Sequence, residues 1–335
     1  MIGYYVHHHG RGHLERARAI AAQLHDELTV LSSLERPAEW DGGTWIRLDT
    51  DRADHARASA PDAGGALHWA PLHHPGLRVR MAQIAEWVSG AEPAALVCDV
   101  SVEVACLARL MGAPVVSIAL PGVRDDAPHL LGYRLSQAIV APWPRALANS
   151  DWSSRWSGKT QAVGAFSRFD RRARPTPASK RSEPTVVLLL GAGGSEIVQQ
   201  DLDDAVAATP GWSWRVFGFE HWIEDPWLEL CDATVIVTHA GQNCIAEVAA
   251  ARTPAIVIPQ PRPFAEQLST ARVLRRERLA IVRESWPPPA DWPALLEAAA
   301  RLGGERWASW SDGHGAERAA AVIECVARRD APQVG

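Results

Sequence analysis

The chain has 335 residues, 47% of them apolar and 22% charged, with a formal net charge of −5. That length suits two buried cores, and the acidic balance excludes the broad basic face of a nucleic-acid binder. Five cysteines, at positions 98, 106, 231, 244 and 325, form no CxxC pair and sit mostly inside apolar runs, which predicts reduced thiols and no disulfide framework.

Residues 2–6 form an apolar strand with no charged leader before it. No run of about 18 apolar residues follows anywhere, so a cytoplasmic protein without a membrane span is expected. The next stretch is His7-His8-His9-Gly10-Arg11-Gly12-His13, leading into an amphipathic helix over 14–24. Gly10 and Gly12 permit a tight turn, and the helix amino terminus behind it would aim N–H groups at the loop. Adjacent histidines on an extended segment point to opposite sides, so the run builds no metal-binding face and no metal is expected.

Short strands are predicted at 29–31 and 45–48. The polar stretch 49–75 has no periodicity and reads as a flexible loop or partial helix. A helix over 77–88, a strand over 95–98 ending at Asp99, a helix over 101–111 stopped by Gly112 and a strand over 114–118 follow. Residues 121–129 form a second loop, and strands at 138–141 and 160–163 complete the unit. Strands alternating with helices imply a parallel sheet.

The basic, proline-bearing stretch around 168–184 is the best linker in the chain. Beyond it a second α/β unit begins: strand 185–190, the turn Gly191-Ala192-Gly193-Gly194-Ser195, and a helix over 196–208. Further strands are predicted at 212–217, 233–237, 255–258 and 279–282, with helices at 226–231, 264–276, 293–302 and 315–328. The resulting organisation is a domain over 1–166, a linker over 167–184, a domain over 185–314, and a last helix and tail over 315–335.

Two turns carry the chemistry of the second unit. The turn at 191–195 suits phosphate, because glycines admit the oxygens close to the backbone. It is no dinucleotide fingerprint, since the third glycine of that pattern would fall at Glu196. The stretch Thr238-His239-Ala240-Gly241-Gln242-Asn243 ends a strand and starts a helix, a ready anion seat. His239 is expected to donate a hydrogen bond to a diphosphate, and Glu247, further along the helix, to accept both hydroxyls of a ribose. Glu266 and Gln267 open another helix at the same sheet edge.

The pattern Gly241 to Glu247, an alanine-rich helix, Thr253-Pro254, a strand ending at Pro259 and then Glu266-Gln267 resembles the carboxyl-terminal domain of GT-B glycosyltransferases. The kin it is most similar to are family 28, which includes the peptidoglycan N-acetylglucosaminyltransferase and monogalactosyldiacylglycerol synthase. The Gly10-Arg11-Gly12-His13 loop matches that family's glycine-rich turn and histidine, though Arg11 and the extra histidines depart from it. The resemblance implies two Rossmann-like doubly wound parallel-sheet domains facing a central cleft, the last helix packing back across it.

The implied activity is transfer of a sugar, with inversion, from a nucleotide diphosphate donor of the UDP type to an acceptor hydroxyl or amine. The donor would meet Gly193, Gly194, Ser195, Trp222 (or Phe219), His239, Gly241, Gln242, Asn243, Glu247, Glu266 and Gln267. Gly10, Arg11 and Gly12 would face the acceptor, either lipid-linked or a small molecule. No cofactor or metal is implied, because helix amino termini and His239 would stabilise the leaving diphosphate. His13 is the expected general base, and Asp99 an alternative base, a partner that orients His13, or a plain helix cap. A nucleotide-sugar 2-epimerase or hydrolase on the same fold, and a non-catalytic nucleotide-binding subunit, remain rival readings. Peripheral contact with a membrane surface stays open.

Overall fold

The computed structural model describes residues 1–8, 11–52, 58–147, 152–175, 183–191, 194–218, 223 and 225–329. The first sheet takes up β1 (Ile2–Tyr5), β2 (Leu28–Ser32), β3 (Thr44–Arg47), β4 (Ala95–Asp99), β5 (Val115–Ile118), β6 (Ala138–Ala141) and β7 (Thr160–Ala162). Its helices are α1 (Gly12–Ala21), α2 (Pro75–Ala91), α3 (Val102–Leu110) and α4 (Ala127–Leu135). The second sheet contains β8 (Thr185–Leu189), β9 (Ser213–Phe217), β10 (Val235–Thr238), β11 (Ala255–Val257) and β12 (Ile281–Val282). Around it lie α5 (Gln199–Ala208), α6 (Trp227–Asp232), α7 (Gln242–Ala251), α8 (Glu266–Arg276) and α9 (Trp292–Leu302), and α10 (Gly315–Arg329) ends the described chain.

Both sheets are parallel throughout, in the orders β3-β2-β1-β4-β5-β6-β7 and β12-β11-β10-β8-β9. A parallel sheet covered on both faces needs strands that are apolar on both sides, and β1, β4, β8 and β10 are buried at every position. Alternation then sorts the side chains. Ile2, Tyr4 and Val6 join the core beneath α1 and α10, while Tyr5 joins Leu31, Ile84 and Leu96 on the opposite face. In the second sheet Val187 and Leu189 pack toward α7 and α8, and Val186 and Leu188 toward α5 and α9.

The last helix belongs to the first core by packing. Ala319, Ala320, Ile323 and Val326 of α10 sit among Ile2, Tyr4, Val97 and Val140, and Arg318 Nε donates to the Val163 carbonyl at 2.7 Å. A backbone bond also crosses between the units, from Val123 N to the Phe264 carbonyl at 2.9 Å. Gly122 makes this approach possible: its φ is +107°, and a Cβ there would stand 2.2 Å from the Phe264 oxygen.

Two expectations are corrected. The helix read over 196–208 begins only at Gln199. Ile197 is drawn into the core, the Glu196 N–H is taken by Gln260 Oε1 at 2.8 Å, and Asp201 accepts the Val198 N–H at 3.1 Å, which fixes the helix start there. The stretch 49–75, read as a flexible loop or partial helix, is tied down where described. Glu103 Oε1 accepts the backbone N–H of His68 at 2.8 Å and of Trp69 at 3.0 Å, and the Trp69 indole donates to the Asp51 carbonyl at 2.9 Å.

Gly3 gives a direct check of how closely β1 is packed. A Cβ there would lie 2.4 Å from Leu96 Cδ1 and 2.5 Å from Trp87 Cη2. Gly3→Ala should lower unfolding stability by about 1–3 kcal/mol, read from urea midpoints. An unchanged midpoint would contradict the packing described.

Candidate active site

In each sheet the chain order reverses beside the first strand: β1 lies between β2 and β4, and β8 between β9 and β10. Loops leaving such neighbouring strands turn to opposite sides and open a crevice at their carboxyl ends. The loops after β1, β4, β8 and β10 are therefore the ones that topology assigns to a site. His13, Arg16, Gly191, Gly194, His239, Gly241, Gln242, Asn243, Glu247, Glu266 and Gln267 line one cleft of about 280 Å³ between the two sheets, with Arg11 and Gly12 at its wall. The Gly12 loop and α7 meet across it, Asn243 Nδ2 donating to the Gly12 carbonyl at 3.3 Å. Gly10, Gly193, Phe219 and Trp222 lie outside the described residues.

Asp99 stands behind the lining, fully buried at the end of β4. His13 Nδ1 donates to its Oδ1 at 3.0 Å, and Arg16 Nη1 donates to the same oxygen at 2.6 Å. A carboxylate only accepts here, so Nδ1 carries a proton, and in the neutral imidazole the lone pair is on Nε2. Burial, the strongest influence on Asp99, would raise its carboxyl; the charges of Arg16 and His13 outweigh it and hold the group below the ordinary carboxylate value. Ser101, two residues on, caps α3 by accepting the Val104 N–H at 3.3 Å. Asp99 is thus freed from capping and is a partner of His13.

On the opposite wall Glu247 is paired with Arg168, whose Nε donates to Oε1 at 3.0 Å. Burial raises the Glu247 carboxyl, with Arg168 opposing, and burial pushes the neighbouring Cys244 thiol up to about 12. Glu266 Oε2 accepts from Arg124 at 3.3 Å. Gln267, nearly buried, uses its Oε1 to hold the Gln260 N–H at 2.9 Å. Arg16, Arg124 and Arg168 escaped the sequence reading because an isolated arginine on a helix or in a polar stretch carries no pattern. Only the fold brings each to a carboxylate.

His239 lines the cleft from the end of β10. Its Nδ1 lies 3.0 Å from the Ile258 carbonyl and its Nε2 3.0 Å from Ser195 Oγ. A carbonyl can only accept, so the proton is on Nδ1 and Nε2 accepts from Ser195. Burial lowers the pKa of His239 and favours this neutral form. In this arrangement both ring nitrogens of His239 are engaged, and the residue fixes the turn at Ser195.

A second polar group lies at the cleft's edge. His68 Nε2 is 2.8 Å from Asp126 Oδ2, His129 Nδ1 is bonded to Asp126 Oδ1, and Arg124 Nη1 lies 3.0 Å from His129 Nε2. Potential ligand atoms of His68, Asp126 and His129 fall within 4.8 Å of one another. Arg124 donates into His129 Nε2, which puts the imidazole proton on Nδ1, the atom a metal would need. A cation there would also meet the guanidinium, so the donor set fits a hydrogen-bonded network better than an ion.

Residues 172–285 match the family model described as the glycosyltransferase family 28 C-terminal domain. Solved structures of several glycosyltransferases are similar over almost the whole chain. The glycotransferase of kitacinnamycin is 17% identical with a TM-score of 0.71, covering 97% of this chain and 98% of its own. MurG of Acinetobacter baumannii is 15% identical with a TM-score of 0.62, covering 97% and 99%. The spinosyn rhamnosyltransferase SpnG complexed with thymidine diphosphate is 16% identical with a TM-score of 0.58, covering 98% of each chain. No curated protein sequence matches. The chain therefore has the GT-B fold, and the match of residues 172–285 to the family 28 C-terminal domain model supports a glycosyltransferase. Among the described residues no helix is long and apolar enough to cross a membrane.

The edge network makes stability depend on pH. Burial first, and the charge of Arg124 second, lower His129 from 6.5 to about 4. An unfolded chain takes up this proton near 6.5, the folded one only near 4, so the stabilisation is whole above that range and drains as pH falls through it. The loss attributable to His129 should be roughly 3 kcal/mol between pH 7 and pH 4. Urea midpoints should fall less over that interval in His129→Gln than in the parent; an equal fall would contradict the assignment.

Proposed function

We propose that the protein transfers a sugar from a nucleoside diphosphate donor, UDP-linked in the favoured reading, to an acceptor hydroxyl or amine with inversion at the anomeric carbon. One observation carries this reading. The His13–Asp99 pair of the first unit faces the amino terminus of α7 and Glu247 of the second across a single cleft. The first supplies a base and the second an anion seat with a carboxylate in reach of a ribose.

In the proposed reaction His13 Nε2 takes the acceptor proton while the acceptor oxygen or nitrogen bonds to the anomeric carbon. The bond from that carbon to the diphosphate oxygen breaks on the opposite face, and the diphosphate leaves with the electron pair. Asp99 keeps the imidazole in the required tautomer and stabilises the imidazolium that forms. Backbone N–H groups at the start of α7 stabilise charge gathering on the leaving diphosphate without reorganisation. Glu247 accepts the ribose hydroxyls, giving up part of its bond to Arg168. Gly194 and Ser195 border the phosphates, while Glu266 and Gln267 face the sugar. None of these steps draws on a cofactor.

The support from likeness is of the same kind. SpnG, similar in fold, has been solved with thymidine diphosphate, so thymidine and uridine nucleotides are both fair probes.

His13→Ala should lower kcat by about 10²–10⁴-fold while leaving donor affinity within twofold, measured by coupled release of the nucleoside diphosphate. Unaltered turnover would sink His13 as base. Epimer formed from a nucleotide-sugar without acceptor would favour the epimerase reading instead. Glu247→Ala should weaken UDP binding by roughly 1–3 kcal/mol in calorimetry; unchanged affinity would refute the ribose assignment.

A further inference from the structure

We propose that Arg16 is a donor-binding residue contributed by the acceptor-side unit, holding Asp99 with one edge of its guanidinium and the donor's diphosphate with the other. The proposal rests on the nucleotide-sugar reading above and adds to it a residue that neither the sequence patterns nor the family 28 domain includes.

Arg16 sits on the second turn of α1 with its side chain almost wholly buried. Nη1 donates to Asp99 Oδ1 at 2.6 Å, and Nη2 reaches across the cleft to donate to Gln242 Oε1 at 2.5 Å. Gln242 is the first residue of α7, so Nη2 already lies at the amino terminus where the diphosphate is proposed to sit. Its present acceptor is a neutral amide. A diphosphate oxygen is a stronger one, because charge-assisted hydrogen bonds are roughly twice as strong as neutral ones. The Gln242 amide is itself incompletely satisfied: its Nε2 is buried without a hydrogen-bond partner among the described residues. The guanidinium of Arg16 and the amide of Gln242 thus meet at the amino terminus of α7, Nη2 held by a neutral oxygen and Nε2 left without an acceptor among the described residues.

An anion entering there takes the Nη2 bond and frees Gln242 to turn its amide donor to the same ligand. Arg16 stays anchored on Asp99 throughout, so the donor's charge is linked to the carboxylate that orients His13. Only arginine can do this. Its planar fork presents donors on two edges, whereas a lysine ammonium at the same place satisfies one partner and does not span both.

The test compares UDP and thymidine diphosphate with uridine, which lacks phosphate, by titration calorimetry on the intact chain. Arg16→Lys keeps a cation beside Asp99. The double variant Arg16→Gln with Asp99→Asn removes both charges, so no buried charge is left unpaired. Both are expected to lose at least about tenfold in diphosphate affinity with uridine binding unchanged. Diphosphate affinity within twofold of the parent in both variants, or uridine affinity falling in step with it, would overturn the proposal and leave the nucleotide-sugar reading standing. Failure of the parent protein to bind either diphosphate would overturn that reading, and this proposal with it.

Discussion

Asp99 is a carboxylate with no access to water, and much of the site's geometry follows from keeping it ionised. An isolated buried charge costs several kcal/mol unless paired and hydrogen-bonded. Two partners on one helix, His13 and Arg16, supply the compensation three residues apart, the spacing at which helix side chains share a face. That requirement fixes the rotation of α1 against β4. It also determines which nitrogen of His13 carries the proton and directs the remaining edge of Arg16 toward the opposite wall.

The opposite wall shows the same economy of charge. Glu247 and Glu266, both on helices that start at the carboxyl edge of the second sheet, each face an arginine from outside their own helix. Three arginines therefore meet carboxylates or amides around one cleft, and two of these contacts, Arg16 to Gln242 and Arg124 to Glu266, join the two units. A ligand bearing both negative charge and hydroxyl groups competes for these partners on each side. Differential contact of this kind is what lets binding bias the relation between two domains. The packing of α10 on the first core and the Val123–Phe264 backbone hydrogen bond beside Gly122 hold the two units in close contact.

The strand pattern was readable because parallel strands buried on both faces leave unbroken apolar runs, and glycines after β1 and β8 mark where the chain turns. The resemblance to family 28 rested on the spacing from Gly241 to Gln267, which is local in sequence. Helix starts were read less well. The beginning of α5 depends on the pull of Ile197 into the core and on Gln260, 64 positions from its partner Glu196. The arginine partners were invisible for the same reason: the bonds Arg16–Gln242 and Arg168–Glu247 span 226 and 79 positions. The expected donor role of His239 follows from its place between a strand end and a helix start. Only the positions of Ile258 and Ser195 reveal that its proton and its lone pair are both engaged.

The central claim is that one cleft holds a nucleoside diphosphate between the two sheets, with its orientation set by α7. A crystal structure of the protein soaked with UDP tests this most directly. The account predicts the diphosphate at the amino terminus of α7, facing the Gly12 loop, with the ribose hydroxyls on Glu247. Nucleotide bound elsewhere, or in the cleft with its ribose away from Glu247, would contradict it.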